Sequence, residues 1–154
     1  MTDYRELNAA LKGLVSGVPH KVADLANASA LLFERLDRIN WAGFYLMEDG
    51  RLVLSAFQGR PACIEIEIGR GVCGTAVAEK KTLVVPNVHE FKGHIACDSA
   101  SNSEIVVPLI KDGEVFGVLD IDSPEYNRFD DCDRAGLEDF AAILAAELIR
   151  MNLV

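Results

Sequence analysis

Between residues 3 and 15 the apolar residues Leu7, Leu11, Leu14 and Val15 recur every three or four positions, which is the period of one face of an α-helix. Gly17-Val18-Pro19 interrupts this run, and residues 20–38 repeat the pattern with Val22, Leu25, Ala26, Leu32 and Leu36 until Asn40 ends it. The period then shortens to that of strands. Residues 41–47 are rich in aromatic and aliphatic side chains, Glu48-Asp49-Gly50 carries a hairpin turn, and residues 51–57 supply the partner strand.

The segment 64–68 alternates isoleucine with glutamate, as a half-exposed strand does. Residues 69–74 are expected to form a glycine-rich loop leading into a short helix near 75–79, and 82–85 a strand stopped by Pro86. A long irregular segment runs from Asn87 to about Ser103; loops of that length inside a small domain usually carry function. A second hairpin follows, 104–110 and 114–122 around Lys111-Asp112-Gly113. A closing amphipathic helix spans 130–150, with Leu137, Phe140, Ile143, Leu144 and Leu148 inward. Helices, then about six hairpin-connected strands, then a final helix predict an α+β domain: an antiparallel sheet with N- and C-terminal helices on one face. No repeat or linker divides the chain, so residues 1–154 are read as a single domain.

Charge and composition narrow the function classes. The net charge of −9 and an isoelectric point near 4.7 disfavour binding to nucleic acid or anionic lipid. The polar N-terminal residues lack an apolar signal core, and no run approaches the length of a membrane span. A cytoplasmic protein is expected, where thiols stay reduced. Four cysteines there point to catalysis or redox chemistry more than to a permanent disulfide framework.

Three of the four lie in glycine-containing, loop-like sequence: Cys63, Cys73 and Cys97. Cys97 is followed by polar residues rather than by core, a setting in which a thiol can meet a ligand. Cys132, flanked by Asp130, Asp131 and Asp133, is in a place that disfavours a thiolate and is read as incidental. Asp120 and Asp122 are two apart on a strand and share a face, an arrangement that is costly when buried unless a cation meets it. Trp41 and Tyr45, four apart on a strand, also share a face and could form the aromatic wall of a pocket. The backbone N–H groups of the 93–97 loop, including those of Ile95 and Ala96, are candidates for holding an anion.

Five segments together carry a resemblance: Trp41-Ala42-Gly43-Phe44-Tyr45, Gly59-Arg60-Pro61-Ala62-Cys63, Gly69-Arg70-Gly71-Val72-Cys73-Gly74, Gly93-His94-Ile95-Ala96-Cys97-Asp98, and Gly117 through Ser123. In these the chain resembles the free methionine-(R)-sulfoxide reductases, which are GAF-domain enzymes. The resemblance implies a GAF fold and reduction of free methionine (R)-sulfoxide by a thiolate, through a sulfenic acid and an intramolecular disulfide, with thioredoxin as external reductant and no bound cofactor or metal. It implies Cys97 as nucleophile, Cys63 as main resolving cysteine, and Cys73 as alternative resolver or relay. It places Glu104, Asp120 and Asp122 at acidic pocket positions. Glu104 and Asp122 are assigned to proton transfer or transition-state work, and Asp120 to the substrate ammonium.

The sequence leaves open the order of Cys63 and Cys73, the oligomeric state, with a homodimer possible, and the basis of epimer preference. The competing reading is a non-catalytic sensing GAF module, which would have no need of three loop cysteines. A zinc site of Cys63, Cys73, Cys97 and His94 is disfavoured, because no Cys-x-x-Cys occurs.

Overall fold

The computed structural model describes residues 1–93 and 100–154. Four helices and six strands follow in the order α1 (Tyr4–Val15), α2 (Lys21–Arg35), β1 (Trp41–Glu48), β2 (Arg51–Gly59), β3 (Glu65–Glu67), α3 (Gly71–Glu79), β4 (Leu83–Val85), β5 (Ser103–Lys111), β6 (Glu114–Ser123) and α4 (Asp131–Arg150), with a 3-10 turn at Val88–Glu90. The strands make one antiparallel sheet in the order β3-β2-β1-β6-β5-β4. Two hairpins, β1–β2 and β5–β6, thus lie side by side, joined through β1 and β6.

Both hairpin turns follow from their residues. Asp49 and Gly50 have φ of +52° and +81°, and Asp112 and Gly113 have +50° and +79°. Two consecutive left-handed residues match the twist of a tight antiparallel ribbon, and Asp-Gly tolerates that backbone well.

Alternation along the central strands separates two apolar layers. Ala42, Phe44, Ile105, Val107, Leu119 and Ile121 point to one face, where they meet Leu7 and Leu11 of α1, Leu25, Ala28 and Leu32 of α2, and Leu137, Phe140 and Leu144 of α4. Trp41, Tyr45, Val106 and Val118 point to the other, where they meet Val72, Cys73, Ala76 and Val77 of α3. The expected arrangement of N- and C-terminal helices on one face holds, and α3 covers part of the opposite face. Among the described residues no helix is long and apolar enough to cross a membrane.

Several local expectations need correction. The glycine-rich 69–74 segment is not all loop: α3 begins at Gly71, so Cys73 sits in its first turn and is buried. Gly71 itself has φ +63°, and the Gly69 N–H donates to Gly74 O at 2.8 Å, which closes the turn that starts the helix. Leu14 and Val22 lie outside the buried stripes, 40% and 70% exposed. Leu36 falls just past the end of α2 yet is buried. Of the three alternating isoleucines only Ile66 is buried, because β3 is three residues long.

Candidate active site

The cleft lies on the α3 face, where the central strands bring polar side chains to one place. Trp41 on β1 pairs across to Asp122 on β6, and Asp122 pairs in turn with Glu104 on β5. The next inward-facing position of β6 is Asp120, opposite Gly43 and Val106. Alternation therefore puts Glu104, Asp120 and Asp122 on one face. Together with Trp41, Tyr45, Cys73, Arg70 and Ser101 they line a cleft of about 570 Å³ counted out to solvent. Pro61, Ala62, Ile66, Gly71 and Val72 complete its walls.

Burial sets the electrostatics. Glu104 and Asp120 are 7% and 6% exposed. Glu104 is held well above the ordinary carboxyl range, chiefly by burial, then by the charges of Asp120 and Asp122 and by hydrogen bonds to them. Glu104 thus carries the proton and donates it. Asp120 is raised by burial, against the stabilising hydrogen bonds it accepts from Glu104 and from the Cys73 thiol. Its Oδ1 is buried and has no hydrogen-bond partner among the described residues. A buried carboxylate oxygen left unsatisfied is costly.

The Cys73 thiol is pushed well up by burial and by the three carboxylates, so it is poor in thiolate. Cys73 and Cys132 are free thiols, the latter exposed and not among the residues lining the cleft. Cys63 is half-buried and disulfide-bonded. It does not line the cleft, although its neighbours Pro61 and Ala62 do.

The aromatic wall is ordered. The Trp41 and Tyr45 rings stack with centroids 6.0 Å apart and an interplanar angle of 25°, and Phe57 stacks on the other side of Trp41 at 5.1 Å. Their polar ends are occupied: Trp41 Nε1 donates to Arg60 O at 3.1 Å, and the Tyr45 hydroxyl donates to Cys63 O at 3.0 Å. Burial, then the nearby Asp120, Cys73, Asp122 and Glu104, raise the Tyr45 phenol and keep it a donor. Both rings serve as wall and as anchor for the 60–63 segment, a second task that the sequence reading did not assign.

Six expected site residues therefore share one cleft: Trp41, Tyr45, Cys73, Glu104, Asp120 and Asp122. Ile95, Ala96 and Cys97 lie outside the described residues. Arg70 was missed: among the described residues lining the cleft it is the single cation. Its signal in the sequence is its place inside the Gly69–Gly74 motif.

The arrangement can bind a cation, supply a proton and surround a methylthio group. The Cys73 sulfur and one oxygen each from Glu104 and Asp120 lie within 4.8 Å of one another, close enough to surround a metal ion as well. An organic ammonium would meet the same buried carboxyl groups.

Comparison with known proteins agrees with this geometry. The GAF domain family matches residues 22–148. The chain is 55% identical over 141 residues to the free methionine-R-sulfoxide reductase of Escherichia coli, covering 92% of this chain and 86% of that protein. A solved structure of the Staphylococcus aureus fRMsr in complex with substrate superposes with a TM-score of 0.92 at 53% identity, covering 96% of this chain and 97% of that one. The substrate complex of the free methionine-R-sulfoxide reductase from Neisseria meningitidis gives a TM-score of 0.94 at 43% identity, covering 97% and 90%. With its cleft residues in one place and more than nine-tenths of its length matched, the chain belongs to the GAF-domain free methionine-R-sulfoxide reductases, a family of oxidoreductases.

Proposed function

We propose that the protein reduces free L-methionine (R)-sulfoxide to L-methionine, with Cys97 as nucleophile, Cys63 as resolving cysteine and thioredoxin as reductant. The observation that carries the substrate reading is the buried Asp120 Oδ1, unpartnered among the described residues, inside a three-carboxyl cleft walled by Trp41 and Tyr45. The α-ammonium of a free amino acid supplies the missing donor and the missing positive charge. A peptide-bound methionine sulfoxide has no such group.

In the first step the Cys97 thiolate attacks the sulfoxide sulfur and Glu104 protonates the sulfoxide oxygen, with Asp122 as its partner. The oxygen passes to the cysteine, methionine leaves, and Cys97 becomes a sulfenic acid. The Cys63 thiol then displaces water from the sulfenic sulfur to form a disulfide. Two-thiol exchange with thioredoxin restores both cysteines and oxidises thioredoxin. The choice of Cys63 over Cys73 as resolver is supported by their states: Cys63 is engaged in a disulfide, whereas Cys73 is a buried free thiol tied to Asp120.

The test is a coupled assay with NADPH, thioredoxin reductase and thioredoxin. Consumption of NADPH with the free (R)-sulfoxide, and none with the (S)-epimer or an N-blocked sulfoxide, is expected. Equal rates with the N-blocked compound would remove the ammonium from the recognition scheme. No turnover with any of them would leave a ligand-binding GAF module.

A further inference from the structure

We propose that Tyr45 is a positioning residue for the resolving step: its hydroxyl holds the Cys63 backbone where the thiol can reach the nucleophile's sulfenic acid. The inference rests on the reading of Cys63 as resolver.

Residues 60–64 have no regular secondary structure, so Cys63 is not placed by a helix or a strand ladder. Among the described residues three hydrogen bonds hold the segment, besides the Cys63 disulfide. Trp41 Nε1 donates to Arg60 O at 3.1 Å, the Tyr45 hydroxyl to Cys63 O at 3.0 Å, and Leu54 N to Ile64 O at 2.9 Å. Of these three bonds the Tyr45 one is made to Cys63 itself, and it is present with Cys63 in its disulfide-bonded state.

The donor is well suited to this task. Tyr45 is 2% exposed, its ring is fixed by stacking on Trp41, and it sits on a central strand bonded on both sides, to β2 and β6. The same ring lines the cleft. One rigid side chain therefore touches both the cavity in which the sulfoxide is reduced and the backbone of the cysteine that acts next. The step it serves is balanced: sulfenic acid and thiol give a disulfide and water, and the oxidising equivalent comes from the sulfoxide.

A substitution of Tyr45→Phe keeps the ring and removes the hydrogen bond. A bond of this kind corresponds to a factor of about five to ten in an equilibrium or rate. In a single turnover, reduced protein is mixed with one equivalent of free methionine (R)-sulfoxide. It is quenched with dimedone at successive times, and adduct and disulfide are quantified by mass spectrometry. In Tyr45→Phe the trappable sulfenic acid should persist about five to ten times longer than in the native protein. Tyr4→Phe removes another part-buried phenol hydrogen bond, 2.6 Å to Asp133, neither residue lining the cleft, and should leave that lifetime unchanged. A native lifetime in Tyr45→Phe, with no disulfide in Cys63→Ser, would overturn the positioning role alone. A disulfide forming at the native rate in Cys63→Ser would overturn the resolver reading beneath it.

Discussion

Glu104 on β5 and Asp122 on β6 are direct cross-strand partners with both carboxyl groups on the cleft face of the sheet. Like charges in that position oppose folding, and the protein avoids the conflict by keeping Glu104 protonated. The native state then binds a proton that the unfolded chain releases above the ordinary carboxyl value of 4.5. Stability should therefore be greatest while Glu104 is protonated and fall as pH rises through its raised pKa. Urea unfolding of the native protein and of Glu104→Gln between about pH 5 and pH 9 checks this. The native midpoint should fall with pH relative to the variant; parallel curves would mean that Glu104 is ionised throughout. Turnover in Glu104→Gln should drop at least about a hundredfold, the usual scale for losing a proton donor.

Asp120 and Asp122 should separate by kinetic parameter. Asp120 has the buried oxygen without a partner among the described residues, so Asp120→Asn should act on KM for the free sulfoxide, raising it by about ten- to a hundredfold, the range for a charged hydrogen bond. Asp122→Asn should act on kcat. A variant of Asp122 that lost only substrate affinity would show that proton transfer needs Glu104 alone.

How much of this was legible beforehand depended on the range over which each signal acts. The Asp-Gly turns and the alternation in β1, β5 and β6 are local, so the two hairpins and the shared face of Asp120 and Asp122 could be read from spacing. That Glu104 sits opposite Asp122 depends on the pairing register of β5 with β6. The second hairpin suggests that register, and the structure specifies it. The α3 start could not be read, because Gly71 and Gly74 disfavour a helix locally and tertiary packing of Val72, Cys73 and Ala76 against the sheet overrides that preference. The hydrogen bonds of Trp41 and Tyr45 to Arg60 and Cys63 were hidden for another reason: both acceptors are backbone carbonyls, which leave no mark in the residue pattern.

Arg70 should read the substrate carboxylate. It is the single cation among the described cleft residues, it is exposed, and its side chain does not cap α3. Arg70→Ala should raise KM for free methionine sulfoxide by about two- to fivefold, as expected for a solvent-exposed charge pair. The methyl ester of the same sulfoxide lacks the negative charge, so the penalty should vanish with it. An equal rise for acid and ester would place Arg70 outside carboxylate recognition.

Asp133 should be the most costly single truncation outside the cleft. Its Oδ1 accepts the Tyr4 hydroxyl at 2.6 Å, and its Oδ2 accepts Arg128 Nη1 at 3.1 Å and Asp130 N at 2.9 Å. The Asp133 N–H donates to Asp130 Oδ1 at 2.8 Å and so closes a capping box at the start of α4. The Arg128 side chain is 3% exposed, so Asp133→Ala leaves a buried guanidinium with Asp37 as its one charge partner among the described residues. Breaking a buried pair from one side costs about 3–5 kcal/mol, against about 1 kcal/mol for Tyr4→Phe. Denaturant unfolding of both variants and of the double variant measures the coupling. A cost below about 1 kcal/mol for Asp133→Ala would show that the network only decorates the helix start. The same Arg128 donates its backbone N–H to Ser103 Oγ at 3.3 Å, one residue before Glu104. Loss of Asp133 should therefore also weaken substrate binding, and a variant that unfolds more easily yet keeps its KM would show that the cleft is held by the sheet alone.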